Sequence, residues 1–300
     1  MILEILPNKL FSLPNINVLQ RNKDSAILHK ILHNDLIDKE MYLSSVVMLF
    51  VLKGRQIISN SDGHKVVIEQ GEMLYLAKDM YLVSDFVTEH NTFEAVLFFM
   101  DDTFVEQCAM ANQKITHTDS PTNTILTLQP SEQIEKYVHS LISVYTNSKS
   151  NHRLLEIKLL ELITLINQQE IGPEFLSSFY RFSSPVKKRD IREFMKNNYL
   201  KNLKIEDYAL LTGRSTSTFM REFKKLYNTT PNQWLIKQRL EKAHQLLINT
   251  DFNVTEAAFE VGYENVSHFI NAYKNKYGQT PKLSKKSTID SNGGSMTFFE

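Results

Sequence analysis

Hydrophobic positions follow two different periods along the chain. Between residues 42 and 100, apolar and β-branched runs such as VVMLFVLK are interrupted by Gly54 and Gly71, and RQIISNSDGHKVVIEQ predicts two strands around a turn at residues 61–63. Short apolar runs bounded by turn residues predict β-strands. Several such strands in succession are typical of a small barrel or a sandwich. Its predicted interior residues are Val47, Leu49, Val51, Leu74, Leu76 and Phe98, which would form either a packed core, the default interpretation, or a hydrophobic ligand cavity.

After Pro130 the period becomes that of an α-helix, and helices are predicted over about residues 131–170. One apolar stripe supports two interpretations, a helix packed on its own domain or a helix–helix seam between two copies of the chain. The candidate dimerisation residues on that stripe are Leu155, Leu159, Leu162 and Ile166. Gly172-Pro173 ends the pattern, and the following FLSSFYRFSSP predicts a connection between domains.

The last third of the chain contains one pattern twice. IEDYALLTGRSTSTFMREFKKLYNTTP (205–231) aligns with VTEAAFEVGYENVSHFINAYKNKYGQTP (254–281), with one extra residue in the second copy. An internal repeat of this period indicates duplicated supersecondary units. Gly213 and Gly262 occupy the same place in the two copies, four residues after an alanine. Each glycine can adopt the left-handed conformation that ends one helix and turns into the next, so each copy predicts a helix-turn-helix unit.

The second helix of each unit needs an apolar face for its core and a polar face for a DNA groove. The predicted apolar faces are Phe219, Phe223 and Leu226 in the first unit, and Phe269, Tyr273 and Tyr277 in the second. The candidate DNA-binding residues are Ser217, Met220, Arg221, Lys224, Lys225, Val266, Ser267, His268, Asn271 and Lys274.

Two of these side chains suit base recognition. Arg221 can reach the O6 and N7 atoms of a guanine, and Asn271 can pair with the N6 and N7 atoms of an adenine or contact only a phosphate. The alternative for either residue is a solvated surface side chain. Between the units, PNQWLIKQRLEKAHQLLINT predicts one long helix that would hold them apart.

The two units, the connecting helix with Trp234, Arg239 and Ala243, and the closing FINAYKNKYGQTP resemble the DNA-binding region of AraC/XylS transcription regulators over about residues 184–283. Asn228 stands where the family usually has glycine, and Lys282-Leu283 replaces a frequent Tyr-Arg pair. The resemblance implies a cytoplasmic transcription regulator, an activator, with double-stranded DNA and RNA polymerase as partners. Upstream, the strands and helices are similar in layout to the cupin-like regulatory domain of many family members, whose later helices form a dimerisation surface.

The expected architecture is therefore α+β. A cupin-like β-barrel with helices occupies residues 1–172, a linker 173–185, an all-α DNA-binding domain of two helix-turn-helix units joined by a long helix 186–283, and a polar tail 284–300. We expect a homodimer. The regulatory domain is expected to respond to a small ligand or to a protein partner, or to leave the chain constitutively active.

Charge supports this division. The whole chain has a formal net charge of zero, but residues 184–286 hold nineteen Lys or Arg against ten Asp or Glu, a net charge of +9. A basic third beside an acidic remainder indicates a polyanionic partner for that third. Cys108 is the only cysteine, which excludes an internal disulfide framework and fits a reducing compartment. Neither a secretion signal nor a membrane-spanning run is predicted.

Enzymatic alternatives find little support in the sequence. A cupin-type metal-dependent enzyme, or a ligand-binding module fused to a DNA-binding domain, is the alternative function. The strand-rich region offers His64 and His90, with His29 and His33 before it, and none belongs to a His-x-His pair followed by Glu. Convergent ligands of that kind are what zinc and similar metals require. We therefore predict no cofactor, no metal site and no catalytic residue.

Overall fold

The computed structural model describes residues 3–60, 63–111, 124–181 and 188–285. The chain divides into two compact units, with the boundary between residues 186 and 187. The first unit combines strands with helices, whereas the described part of the second unit is helical throughout. The α+β prediction is confirmed.

The first unit contains two sheets. In chain order the described strands are β1 (Glu4–Leu6), β2 (Ile16–Asn22), β3 (Ser25–Leu32), β4 (Leu36–Leu43), β5 (Val46–Lys53), β6 (Arg55–Asn60), β7 (Lys65–Ile68), β8 (Met73–Leu76), β9 (Met80–Phe86), β10 (Phe93–Met100) and β11 (Ile125–Leu128). The strand orders are β1-β4-β9-β6-β7 and β11-β8-β5-β10-β3-β2. β6 and β7 form the predicted antiparallel hairpin, and residues 61 and 62 of its turn lie outside the described residues. The strands before residue 42 and after residue 100 were not predicted.

The six-stranded sheet is buried on both faces. Along β5, Val47, Leu49 and Val51 belong to a core shared with the five-stranded sheet. Met48 and Phe50 belong to a second core shared with helices, because successive side chains of a strand point to opposite faces. Of the predicted interior residues, five lie in the core between the sheets, and Phe98 lies in the helix-facing core instead. The prediction placed Phe98 on the wrong face because a strand buried on both sides shows no alternation.

Four helices cover the second face of that sheet. They are α1 (Asp102–Ala111), α2 (Glu132–Tyr145), α3 (His152–Asn167) and α4 (Gly172–Arg181). On α3, the candidate dimerisation residues Leu155, Leu159, Leu162 and Ile166 are at most 1% exposed and belong to the chain's own core. Of the two interpretations of this stripe, packing on its own domain is the one that the structure shows. These four residues cannot form a seam between copies.

The connection between domains begins later than predicted. Residues 173–181 of the predicted linker belong to α4, whose Phe175 and Phe179 are fully buried. Burying a phenylalanine contributes about 1.5–3 kcal/mol, so α4 is a structural part of the first unit. The pair Gly172-Pro173 predicted the end of the helical region. Proline is nevertheless tolerated in the first turn of a helix, because its missing N–H would have no partner there. Residues 182–185 lie outside the described residues.

The second unit consists of α5 (Ile191–Asn198), α6 (Ile205–Leu211), α7 (Thr216–Tyr227), α8 (Pro231–Asn249), α9 (Val254–Glu260) and α10 (Val266–Tyr277). The helical fold continues past the predicted boundary at residue 283. Residues 281–285 are helical, Ser284 is buried, and Lys285 Nζ donates to the carbonyl oxygen of Phe252 at 2.7 Å. The rest of the predicted tail, from residue 286, lies outside the described residues.

Candidate nucleic-acid interface

The first helix-turn-helix unit pairs α6 with α7. Gly213 has a φ of 71°, in the left-handed region, and ends α6. Ser215 then caps α7 by accepting a hydrogen bond from the backbone N–H of Thr218 at 3.3 Å. The turn glycine and the cap together set where α7 begins and in which direction it leaves the turn.

The polar face of α7 is available to a partner. Phe219 and Phe223 are fully buried and fix the rotation of the helix about its axis. The five candidate residues on the opposite face, Ser217, Met220, Arg221, Lys224 and Lys225, are all exposed. Leu226, which was predicted for the apolar face, is 37% exposed. Tyr227 takes the place expected for Leu226, since its ring lies 4.5 Å from that of Phe223 and 5.1 Å from that of Trp234.

The second helix-turn-helix unit repeats this geometry with α9 and α10. Gly262 has a φ of 82°, and Asn265 caps α10 by accepting from the backbone N–H of His268 at 3.1 Å. Phe269 and Tyr273 are fully buried. On the opposite face, Ser267, His268, Asn271 and Lys274 are exposed.

Val266 differs from the other candidates. Its side chain is half-buried and packs against the core formed by α8, α9 and α10. The position is three residues before Phe269 and seven before Tyr273, a spacing that places it on the apolar side of α10. The periodicity therefore contained the signal that removes Val266 from the polar face.

Helices α7 and α10 end in the same way. Asn228 and Gly278 have φ values of 54° and 73°, and their backbone N–H groups donate to the carbonyl oxygens of Lys224 and Lys274 at 2.9 and 2.8 Å. Asparagine at the first of these positions is thus compatible with the left-handed cap that glycine provides at the second. The two ends place lysines in the last turns of both helices, where the helix dipole favours positive charge.

Two cations near this surface, Arg214 and Lys276, are engaged in contacts within the chain. Arg214 Nε donates to Glu222 Oε2 at 2.7 Å, and this hydrogen bond lowers the pKa of Glu222. Lys276 Nζ bridges to α8 by donating to the carbonyl oxygen of Lys237 at 2.9 Å and to Glu241 Oε1 at 3.0 Å. Lys224, Lys225 and Lys274 are exposed on the same helices. The two helices therefore expose corresponding polar faces with a lysine at the same position, Lys224 or Lys274, and the face of α7 is the more basic because it also carries Arg221 and Lys225.

Comparison with known proteins agrees with this geometry. Residues 208–286 match the family described as "Helix-turn-helix domain", and residues 46–178 match the family described as "ExsA N-terminal regulatory domain". The thermoregulatory protein LcrF of Yersinia pestis is 25% identical over 82% of this chain and 91% of its own length. The virulence regulon transcriptional activator VirF of Yersinia enterocolitica is 24% identical over the same shares. The HTH-type transcriptional regulator ExsA of Pseudomonas aeruginosa is 25% identical over 79% of this chain and 84% of its own length.

The chain matches AraC/XylS family transcription regulators in both its regulatory and its DNA-binding region. It combines a DNA-binding helix-turn-helix region with an N-terminal regulatory domain. Among the described residues, no helix is long and apolar enough to cross a membrane.

The N-terminal unit contains a buried polar network. Lys30 Nζ of β3 donates to Asp85 Oδ2 of β9 at 2.5 Å, and the amide of Gln56 on β6 donates to the other carboxylate oxygen. All three side chains are buried, and β3 belongs to one sheet while β6 and β9 belong to the other. The ion pair thus joins the two sheets through their shared interior.

The histidines near the strands do not converge. His29 is buried, and its Nε2 lies 2.8 Å from Glu94 Oε1. Burial alone would raise the pKa of Glu94, but hydrogen bonds from Lys53 and His29 lower it below its usual value. In the described parts of the chain, His, Cys, Asp and Glu form no group of three or more that could hold a metal ion.

Proposed function

We propose that this chain is a sequence-specific transcription activator that reads two adjacent major grooves with α7 and α10. The observation that carries the proposal is the equivalence of the two helices. Each buries two aromatic residues at corresponding positions and exposes Arg221 or Asn271, followed three residues later by Lys224 or Lys274. A repeated polar face of this kind fits two successive turns of one duplex better than it fits a single groove.

Each exposed side chain has a proposed role. Arg221 donates two hydrogen bonds to the O6 and N7 atoms of a guanine, and Asn271 pairs with the N6 and N7 atoms of an adenine. Lys224, Lys225 and Lys274 contact phosphates, which positions the helices without reading sequence. Ser217, Met220, Ser267 and His268 line the edges of the same two faces.

Activation is proposed from the relatives. VirF of Yersinia enterocolitica bears the name of a transcriptional activator, and the match covers 82% of this chain. We place RNA polymerase among the partners on that basis, and we place the chain in the cytoplasm with the DNA. The proposed role is regulatory and assigns no catalytic step.

The N-terminal unit is proposed to control DNA binding through a small ligand or a protein partner. Residues 46–178 match a regulatory domain, and Val47, Leu49 and Val51 are buried between its two sheets. Native mass spectrometry of the purified chain separates the two inputs. A retained small molecule identifies a ligand, whereas the bare chain mass together with capture of a second protein identifies a partner.

A homodimer is proposed through the exposed face of α3. Leu154, Ile157 and Leu160 lie on this face and are 38%, 57% and 47% exposed, in contrast to the buried stripe on the other side of the helix. The face is self-complementary about Ile157 in an antiparallel pair. Leu154 then faces Leu160 of the second copy, and the exposed Arg153 faces the exposed Glu161 of the second copy. Isologous contacts of this kind are what two-fold symmetry requires.

The location of DNA affinity tests the proposed function. Residues 184–286, with a net charge of +9, should bind promoter-length duplex without the N-terminal unit, and binding should weaken steeply as salt rises because lysine and arginine displace condensed counterions. Fluorescence anisotropy of labelled duplex measures this. Residues 3–181 provide the control and should not bind. A 184–286 fragment with the expected helical circular dichroism but no binding at low salt would contradict the assignment.

A further inference from the structure

The short segment over residues 198–202, from the last residue of α5 into the loop before α6, contacts both helix-turn-helix units. On the side of the first helix-turn-helix unit, the single hydroxyl proton of the buried Tyr208 of α6 is shared between the carbonyl oxygens of Asn198 at 3.0 Å and Lys201 at 3.3 Å. Tyr199 of the same segment packs edge-on against Trp234, with ring centroids 6.1 Å apart. Trp234 in turn contacts the aromatic side chains of α7.

On the other side, the segment packs against the second helix-turn-helix unit. The side chain of Leu200 lies against the core formed by α8, α9 and α10. Asn202 Nδ2 donates to Glu264 Oε1 in the turn before α10. A Cβ atom on Gly262 would stand 2.4 Å from the carbonyl oxygen of Leu200, so glycine is required there for close approach as well as for its φ.

Arg239 of the connecting helix α8 closes this junction. Its guanidinium donates to the carbonyl oxygens of Tyr199 and Lys201 at 2.7 Å each, and to that of Gly262 at 3.3 Å. The planar guanidinium of Arg239 therefore holds the segment over residues 198–202 to the turn of the second helix-turn-helix unit through a fixed arrangement of donors. A lysine could not reproduce this arrangement, because its ammonium is a single point of attachment on a flexible stem.

We infer that Arg239 and the segment over residues 198–202 set the orientation of α10 relative to α7, and thereby the spacing between the two DNA half-sites that the chain accepts. This inference rests on the proposed reading of two grooves. Arg239 is a positioning residue, since it is half-buried among carbonyl oxygens and lies outside the two polar faces. Holding two reading heads in the bound arrangement lowers the ordering cost of binding.

Spacing is what the test must measure. Full-length chain is titrated against its selected site and against duplexes with one base pair inserted or removed between the half-sites. One base pair moves a half-site by about 3.4 Å along the duplex and by about 35° around it. The wild-type chain should prefer the original spacing by about tenfold or more, and Arg239→Met should reduce that preference severalfold while each half-site keeps its base preferences.

Two variants keep the test informative. Lys237→Met removes one positive charge from the exposed surface of the same helix and should leave the spacing preference at the wild-type value. Asn202→Ala breaks only the exposed link to Glu264, so it should preserve folding and lower the spacing preference in the same direction as Arg239→Met. Circular dichroism verifies that each variant is folded, and Asn202→Ala decides the matter if Arg239→Met does not fold.

A duplex with a scrambled second half-site separates the two claims. If the wild-type chain binds it as tightly as the intact site, the two-groove proposal is wrong and the positioning role is wrong with it. If the wild-type chain needs both half-sites, and folded Arg239→Met and Asn202→Ala weaken all spacings equally, only the positioning role is overturned.

Discussion

Arg221 shows how buried neighbours set the direction of a single exposed side chain. Phe219 and Phe223 anchor the opposite face of α7, so the direction of Arg221 is set by the core and not by its own contacts. In α10, the buried Phe269 and Tyr273 set the direction of Asn271 in the same way. At the residue scale, the proposed base recognition would thus depend on where the aromatic residues pack.

Arg221→Ala should cost about 1–3 kcal/mol of binding free energy at the selected site and relax the preference at one base pair. Binding-site selection with the variant measures both effects. Lys224→Ala is the matched control, because loss of a phosphate contact should weaken binding to all sequences evenly and flatten the salt dependence. An Arg221→Ala protein with the wild-type sequence preference would show that this arginine reads no base.

Asp85 provides a stability prediction in the regulatory unit. Asp85→Asn removes the charge that pairs with Lys30, and Lys30 is then buried without its carboxylate. Breaking a buried ion pair in this way should lower the free energy of unfolding by about 3–5 kcal/mol. Urea denaturation of the full chain, followed by a probe in the first unit, measures the change.

The matched control replaces both partners. Lys30→Met combined with Asp85→Leu should cost far less than Asp85→Asn alone, because no unpaired charge remains. A single Asp85→Asn variant as stable as the wild-type chain would mean that the ion pair does not hold the two sheets together.

At the scale of elements, α3 serves two purposes with two faces. One face closes the core above the six-stranded sheet, and the other presents exposed apolar side chains between Arg153 and Glu161. The two faces make different predictions for the same kind of substitution, which allows them to be tested against each other.

Ile157→Lys should yield a folded monomer that retains DNA binding, whereas Leu159→Lys should destabilise the first unit because it buries a charge. Analytical ultracentrifugation and thermal denaturation distinguish the outcomes. A dimer that survives Ile157→Lys at the wild-type dissociation constant would place the interface elsewhere.

The parts of the fold that were predictable from sequence carry their signals locally. The two helix-turn-helix units are specified by Gly213, Gly262 and the aromatic spacing within single helices, so their existence and their polar faces followed from the pattern. What the apolar face of α3 packs against did not follow, because an apolar stripe has the same period whether it meets its own sheet or another copy. Strand β3 was missed although it forms a hairpin with β2, because its buried polar residues Ser25, His29 and Lys30 interrupt the apolar run.

At the scale of the whole molecule, charge and function are divided between the two units. The basic unit contains α7 and α10, the proposed reading helices, and the acidic remainder contains the sheets and the α3 surface. A dimer formed through α3 would bring two such chains, and four reading helices, to one promoter. Because linked binding sites add effective concentration, occupancy of paired sites should depend on that surface.

The central claim is that α7 and α10 of one chain occupy two successive major grooves on one side of the duplex. Hydroxyl-radical footprinting of the full-length chain on a single selected site tests it most directly. We predict two protected patches about 10–10.5 base pairs apart on the same face of the DNA, with Arg221→Ala weakening one patch and Asn271→Ala the other. A single patch that both substitutions weaken alike would contradict the account.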